Sequence, residues 1–163
     1  MILREQQETI KNIIKEFFDK MTIEVEIKEE KAEEDTFRVN LETEMPQLLI
    51  GENGQTLSEI QHVLKLILRK KLGPGFYLDL DVSNYKKKKR VYLEELAKTV
   101  ADEVALNKEE KELPAMPASE RRIIHLALSQ RTDIVTESRG QEPDRHIVIK
   151  PALANQPVTS PEE

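Results

Sequence analysis

The sequence predicts an α+β chain of two small modules joined by one long helix, and three observations carry that prediction. Over the first half, stretches with apolar residues at helical spacing and stretches with apolar residues at every second position follow one another in the order α-β-β-α-α-β. A long helical pattern without an internal breaker then runs from about residue 84 to 107. Beyond it, a shorter helix and two alternating strands complete a second, smaller pattern.

Ile10, Ile13, Ile14, Phe17 and Phe18 recur at the spacing of one helix face, which predicts a helix over 3–20. Ile23, Val25 and Ile27 alternate with polar residues and predict a half-buried strand over 22–28. Lys31–Asp35 reads as a charged turn, and Phe37, Val39 and Leu41 mark a second strand over 36–42. Pro46 suits a first helical turn, so 46–50 reads as a short helix. Leu57, Ile60, Leu64, Ile67 and Leu68 define a helix over 55–71, and Gly73-Pro74-Gly75 ends it. Phe76, Leu78, Leu80 and Val82 predict a third strand.

Ser83 or Asn84 is placed to cap the next helix, whose apolar stripe is Leu93, Leu96, Ala97, Val100 and Val104. Lys108–Glu112 reads as a charged linker. Pro117 opens a helix over 117–130, and 134–138 and 146–150 read as strands around a turn at 139–144. The expected division is therefore a first domain over 1–83, a connecting helix and linker over 84–111, a second domain over 112–151 and a flexible tail over 152–163.

Composition narrows the chemistry. The chain has no cysteine, which excludes disulfides, thiol nucleophiles and thiolate-bound zinc. No apolar run approaches the roughly 18 residues of a membrane span, and the N-terminus turns polar at once, so a cytoplasmic protein is expected. The net charge of −6 lies entirely in residues 1–83, while 84–163 is balanced. Basic residues cluster at Arg69-Lys70-Lys71 and at Lys86–Arg90, the candidate surfaces for an anionic partner. The histidines lack metal-ligand spacing, and no glycine-rich P-loop of the nucleotide-binding type, Ser-His-Asp order or paired carboxylate pocket stands out. Neither an enzyme, a cofactor nor a small-molecule substrate is expected.

Two motifs remain. Gly51-Glu52-Asn53-Gly54 joins the short helix to the longer one, so free N–H groups and the positive end of a helix dipole face a turn without side-chain bulk at its ends. On the 117–130 helix, Arg121 and His125 lie four residues apart. Steps of about 100° per residue place Arg121, His125, Ser129 and Arg122 on one polar stripe, with Ile123, Ile124, Leu126, Ala127 and Leu128 on the remaining arc. Arginine forks onto phosphate, and histidine stacks and donates. Each motif alone is most often structural: a helix-turn-helix needs glycine, and a polar stripe is usually a solvated face.

The segment Leu49-Ile50-Gly51 through Gln55-Thr56-Leu57, with the α-β-β-α-α-β order, resembles a KH domain of the type II arrangement, close to that of the bacterial Jag (SpoIIIJ-associated; KhpB/EloR) family. Met116 through Leu128, then Thr136-Glu137-Ser138 and Glu142 through Pro151, resembles that family's second module, named for an arginine and a histidine separated by three residues. The resemblance covers roughly residues 22–151 in the family's order. It implies that Gly51, Glu52, Asn53, Gly54 and Gln55 clamp a nucleic-acid backbone, in a groove bounded by helices 46–50 and 55–71 and the strand 36–42. It also implies nucleic-acid contacts by Arg121, His125 and Arg145, with Arg122 on the same stripe. Glu52 and Asn53 depart from the basic residues common in such turns, and a carboxylate there costs affinity for phosphate. Arg139 is more basic than expected of the hairpin tip. The family's extra N-terminal domain and linker are expected to be missing.

The run Lys86, Lys87, Lys88, Lys89, Arg90 opposes the dipole at a helix start, so local stability does not explain it. It reads either as a solvated face or as a phosphate track, with Tyr85 and Tyr92 flanking it to stack bases. The expected function is binding of single-stranded RNA, with single-stranded DNA a second candidate ligand. The resemblance implies a regulator of cell elongation, division or cell-wall synthesis and a small single-KH partner protein. The alternative is a protein scaffold whose KH surface binds a partner and whose RNA binding is vestigial.

Overall fold

The computed structural model describes residues 4–33 and 35–152; most of the expected tail lies outside them. The chain divides into two compact units, one ending at Lys86 and the other beginning at Lys87.

The first unit contains α1 (Arg4–Lys20), β1 (Glu26–Glu33), β2 (Thr36–Glu42), α2 (Pro46–Ile50), a 3-10 turn (Glu52–Gly54), α3 (Gln55–Leu72) and β3 (Tyr77–Val82). Its sheet has the order β1-β2-β3, with β1 antiparallel and β3 parallel to the central β2. The α-β-β-α-α-β order and the type II KH arrangement are as expected. Ile10, Ile14 and Phe18 of α1 and Leu57, Leu64 and Leu68 of α3 form one core with Phe37, Val39, Leu41, Leu78 and Leu80 of the sheet.

Two expectations fail at β1. The strand starts at Glu26, so Ile23 and Val25 precede it, and it runs to Glu33 through the presumed turn. Pairing overrode composition: Lys31, Ala32 and Glu33 sit opposite Arg38, Phe37 and Thr36, and a charged edge strand tolerates an acidic sequence.

The second unit takes up nearly all of α4 (Tyr85–Asn107), followed by β4 (Lys111–Glu112), α5 (Ala118–Leu128), β5 (Ile134–Arg139) and β6 (His146–Pro151). Its antiparallel sheet has the order β4-β6-β5. Helix α4 is more than a connector, because Leu93, Ala97, Ala101 and Val104 share a core with Ile124, Leu128, Ile147 and Ile149. The presumed linker contains a strand, since Lys111 and Glu112 pair with Ile149 and Val148.

The start of α4 also differs from expectation. Ser83 and Asn84 both adopt positive φ, 50° and 57°, and form a left-handed bend. The bend is held from outside: the Ser83 N–H donates to the Leu41 carbonyl, and the Asn84 N–H to the Oδ1 of buried Asn40. Asp81 Oδ1 accepts from the Lys86 N–H at 3.2 Å, so a strand residue supplies a carboxylate to the first turn of α4.

Candidate nucleic-acid interface

In the first unit, the Gly51-Glu52-Asn53-Gly54 turn depends on its glycines for packing as well as for access. Gly51 lies at φ 70°, ψ −172°, and a Cβ there would stand 2.1 Å from Thr56 Oγ1. Gly54 is left-handed, and its Cβ would meet the Tyr85 ring at 2.8 Å. Tyr85 is thus half-buried against the turn and packed on the first core, not held out to stack a base. Part of the turn's donor supply is also used internally. The Gly54 N–H reaches the Gly51 carbonyl at 3.5 Å, long and readily exchanged, and the Gln55 N–H caps the Glu52 carbonyl. The Gln55 side chain donates to Glu59 Oε1 at 2.9 Å, an exposed pair of small strength. Glu52 and Asn53 are both exposed.

Helices α2 and α3, which flank this turn, pack against β3. β2 is central and hydrogen-bonded on both sides, whereas β3 is an edge against which α2 and α3 pack. Gln61 of α3 covers that edge: its Oε1 accepts from the Leu80 N–H at 2.9 Å and from Lys86 Nζ at 3.0 Å. Lys86 also pairs with Asp79 at 2.5 Å.

In the second unit, the Arg-xxx-His pair turns inward. Arg121 is buried, its side chain 6% exposed; Nη1 donates to the Met116 carbonyl at 2.6 Å and pairs with Glu142 Oε1 at 3.0 Å. The expected polar stripe is therefore displaced. The buried residues of α5 are Glu120, Arg121, Ile124 and Leu128, a single arc, while Leu126, assigned to the apolar arc, is 61% exposed. A guanidinium joins the buried arc because a carbonyl and a carboxylate compensate its lost hydration. His125 is half-buried between α5 and β5, with Nδ1 2.7 Å from Thr136 Oγ1 and Nε2 3.3 Å from Ser138 Oγ. Burial, and then the Arg121 charge, hold its imidazole below its ordinary pKa of 6.5.

The cations of this unit divide into occupied and unoccupied ones. Lys89 pairs with buried Glu120 at 3.3 Å. Arg139 pairs with Glu110, Glu112 and Glu137, so its charge is locally neutralised. Arg131 forks onto Asp133 with two 2.7 Å bonds and reaches Asp102 at 2.6 Å; these bonds raise its pKa and lower that of Asp133. Among the described residues, Lys87, Lys88, Arg90, Arg122 and Arg145 are exposed and carry no acidic partner. Tyr92 is 57% exposed.

Sequence reasoning missed Glu120, Asn40, Gln61, Glu142 and the Arg131 clip. Acids three or four positions from a base hint at pairing, but Asp133 lies two residues from Arg131 and the other hydrogen-bond partners lie 19 to 44 residues apart along the chain, where spacing carries no signal. Among the described residues no group of His, Asp and Glu is placed to hold a metal, and no helix is long and apolar enough to cross a membrane.

Family models match both units of the chain. The KhpA/KhpB KH-domain model matches residues 7–80, and the model of the Arg-xxx-His domain matches 91–151, which takes in most of α4. The RNA-binding protein KhpB of Clostridium symbiosum is 37% identical over 91% of this chain and 69% of its own length. The protein of that name from Bacillus subtilis (strain 168) is 38% identical over 70% of this chain, which spans little more than half, 56%, of that relative. The Lactiplantibacillus plantarum KhpB is 30% identical over 68% of this chain and 34% of its own length. With a KH unit whose turn is shaped by Gly51 and Gly54, followed by a unit built on Arg121 and His125, the chain belongs to the KhpB (Jag) family.

Proposed function

We propose that this chain binds single-stranded RNA and does no chemistry on it. The observation that carries the reading is a group of exposed cations in the second unit with no acidic partner among the described residues: Lys87, Lys88, Arg90, Arg122 and Arg145, with Lys98 further along α4. Other cations of this unit, such as Arg131 and Arg139, are cross-paired with acids. Backbone phosphates neutralise such cations and release counterions. The names of the relatives support the same ligand. The turn 51–55 contributes glycine-permitted backbone approach, weakened by Glu52. By family resemblance, the chain acts in the cytoplasm as a regulator of cell elongation, division or wall synthesis, with a small single-KH partner; single-stranded DNA is a second ligand.

The test is fluorescence anisotropy of a labelled mixed-sequence single-stranded RNA against salt. Wild type binds and weakens as salt rises. K87A/K88A/R90A lowers the slope of log affinity against log salt by about two. K86A/K89A, which removes lysines already paired, lowers it by less. The −6 net charge and Glu52 favour the competing scaffold reading, and absence of binding at low salt would overturn the RNA reading and turn the search to a protein partner.

A further inference from the structure

Arg121 is a buried cation whose acidic partner is not buried: its side chain is 6% exposed and that of Glu142 is 60% exposed. Only Nη1 is engaged by the contacts seen, to Met116 and Glu142; among the described residues no hydrogen bond reaches Nε or Nη2. The guanidinium is held in place from within. The Met116 carbonyl accepts from Arg121, and the Met116 N–H donates to the Arg145 carbonyl at 3.1 Å. That knits the start of α5 to the foot of β6 and keeps the exposed Arg145 beside the same hairpin. Glu142, by contrast, sits in the turn between β5 and β6, joined to this framework by its carboxylate.

A fixed, mostly buried guanidinium with spare donors recognises a tetrahedral or planar oxyanion, and Glu142 supplies one from the surface. From this we infer that Glu142 sets how strongly the second unit engages RNA: its carboxylate fills the Arg121 socket in the free chain and exchanges with a backbone phosphate on binding. The exchange swaps one anion for another, so the buried charge is never left bare, the condition that would make displacement prohibitive. Arg121 then acts late, after Arg122, Arg145 and the lysines have drawn the strand in. The inference rests on the RNA-binding reading and deepens it.

The test compares E142Q with D144N in the RNA titration above. Asp144 is an exposed acid in the same turn with no contact to Arg121, so it reports the general effect of removing one negative charge. Glutamine at 142 retains an oxygen for Nη1 but is a weaker competitor for phosphate. E142Q should tighten RNA binding about tenfold and steepen the salt slope by about one, with D144N well short of both. An E142Q affinity no higher than that of D144N overturns the inference while leaving RNA binding intact. Absence of binding in wild type and both variants overturns the parent reading instead. The Arg121 Nε–H NMR resonance gives a second readout: it should shift on adding RNA to wild type, and a resonance unmoved at saturating RNA would also sink the exchange.

Discussion

The two motifs of this chain reach their geometry in opposite ways. In the first unit, Gly51 and Gly54 act by what they lack, because Thr56 and Tyr85 occupy the space where their Cβ atoms would stand. In the second, Arg121 and His125 act by what they carry, but both aim it inward, at Met116, Glu142, Thr136 and Ser138. The residues that identify each module are thus first of all the residues that build it. What faces outward differs: a backbone turn bearing Glu52 in one unit, and unpaired cations such as Arg122 and Arg145 in the other. A motif legible in sequence marks where each unit is framed, and the exposed charges proposed to meet RNA first stand beside it.

Substitutions within each motif sharpen that comparison. The largest effect is expected from Gly51→Val, which combines a clash with Thr56 and a backbone region open mainly to glycine. It should cost about 3 kcal/mol or more. Amide NMR during denaturant unfolding would show the first unit lost early and the second unmoved; a simultaneous loss of both would mean that the units do not unfold separately.

Next in size is Arg121→Met, which keeps the volume but strands the Met116 carbonyl and frees Glu142. It should cost the second unit about 2–4 kcal/mol, read by the same unfolding curves. Arg122→Met, one residue away on the exposed side, should change stability by at most about 0.5 kcal/mol. If the two variants proved equally stable, the inward role of Arg121 would be wrong.

The smallest effect concerns pH. The unfolded chain's imidazole takes up its proton near 6.5, and folded His125 does so lower. The stability that neutral His125 contributes is therefore complete above about 6.5 and is lost as pH falls through the folded value. Thermal melts between pH 5 and 7.5 should show the second unit weakening on acidification, and His125→Asn should flatten that dependence. A slope unchanged by the substitution would place the titrating group elsewhere.

Much of the fold was open to reading because it rests on local periodicity. The apolar sets of α1, α3 and α4 and the alternation in β2 and β3 locate those elements to within a residue or two. Glycine at 51 and 54 announces a turn, since both take a positive φ that glycine adopts without strain. Strand β1 was misplaced because its sequence is charged and only its ladder with β2 makes it a strand.

The sequence by itself determined the element order of the first unit, the two motifs and the location of positive charge. Only the tertiary structure decided which of those charges are available. Lys86, Lys87, Lys88 and Lys89 look alike as a run. Lys86 is paired to Asp79 and Lys89 to Glu120, while Lys87 and Lys88 have no acidic partner among the described residues. Likewise Arg121 and Arg122 are neighbours, yet one is buried and the other exposed. The physical reason is range: helix and strand patterns are set by residues within a few positions, whereas burying or pairing a charge depends on acceptors that folding brings from elsewhere in the chain.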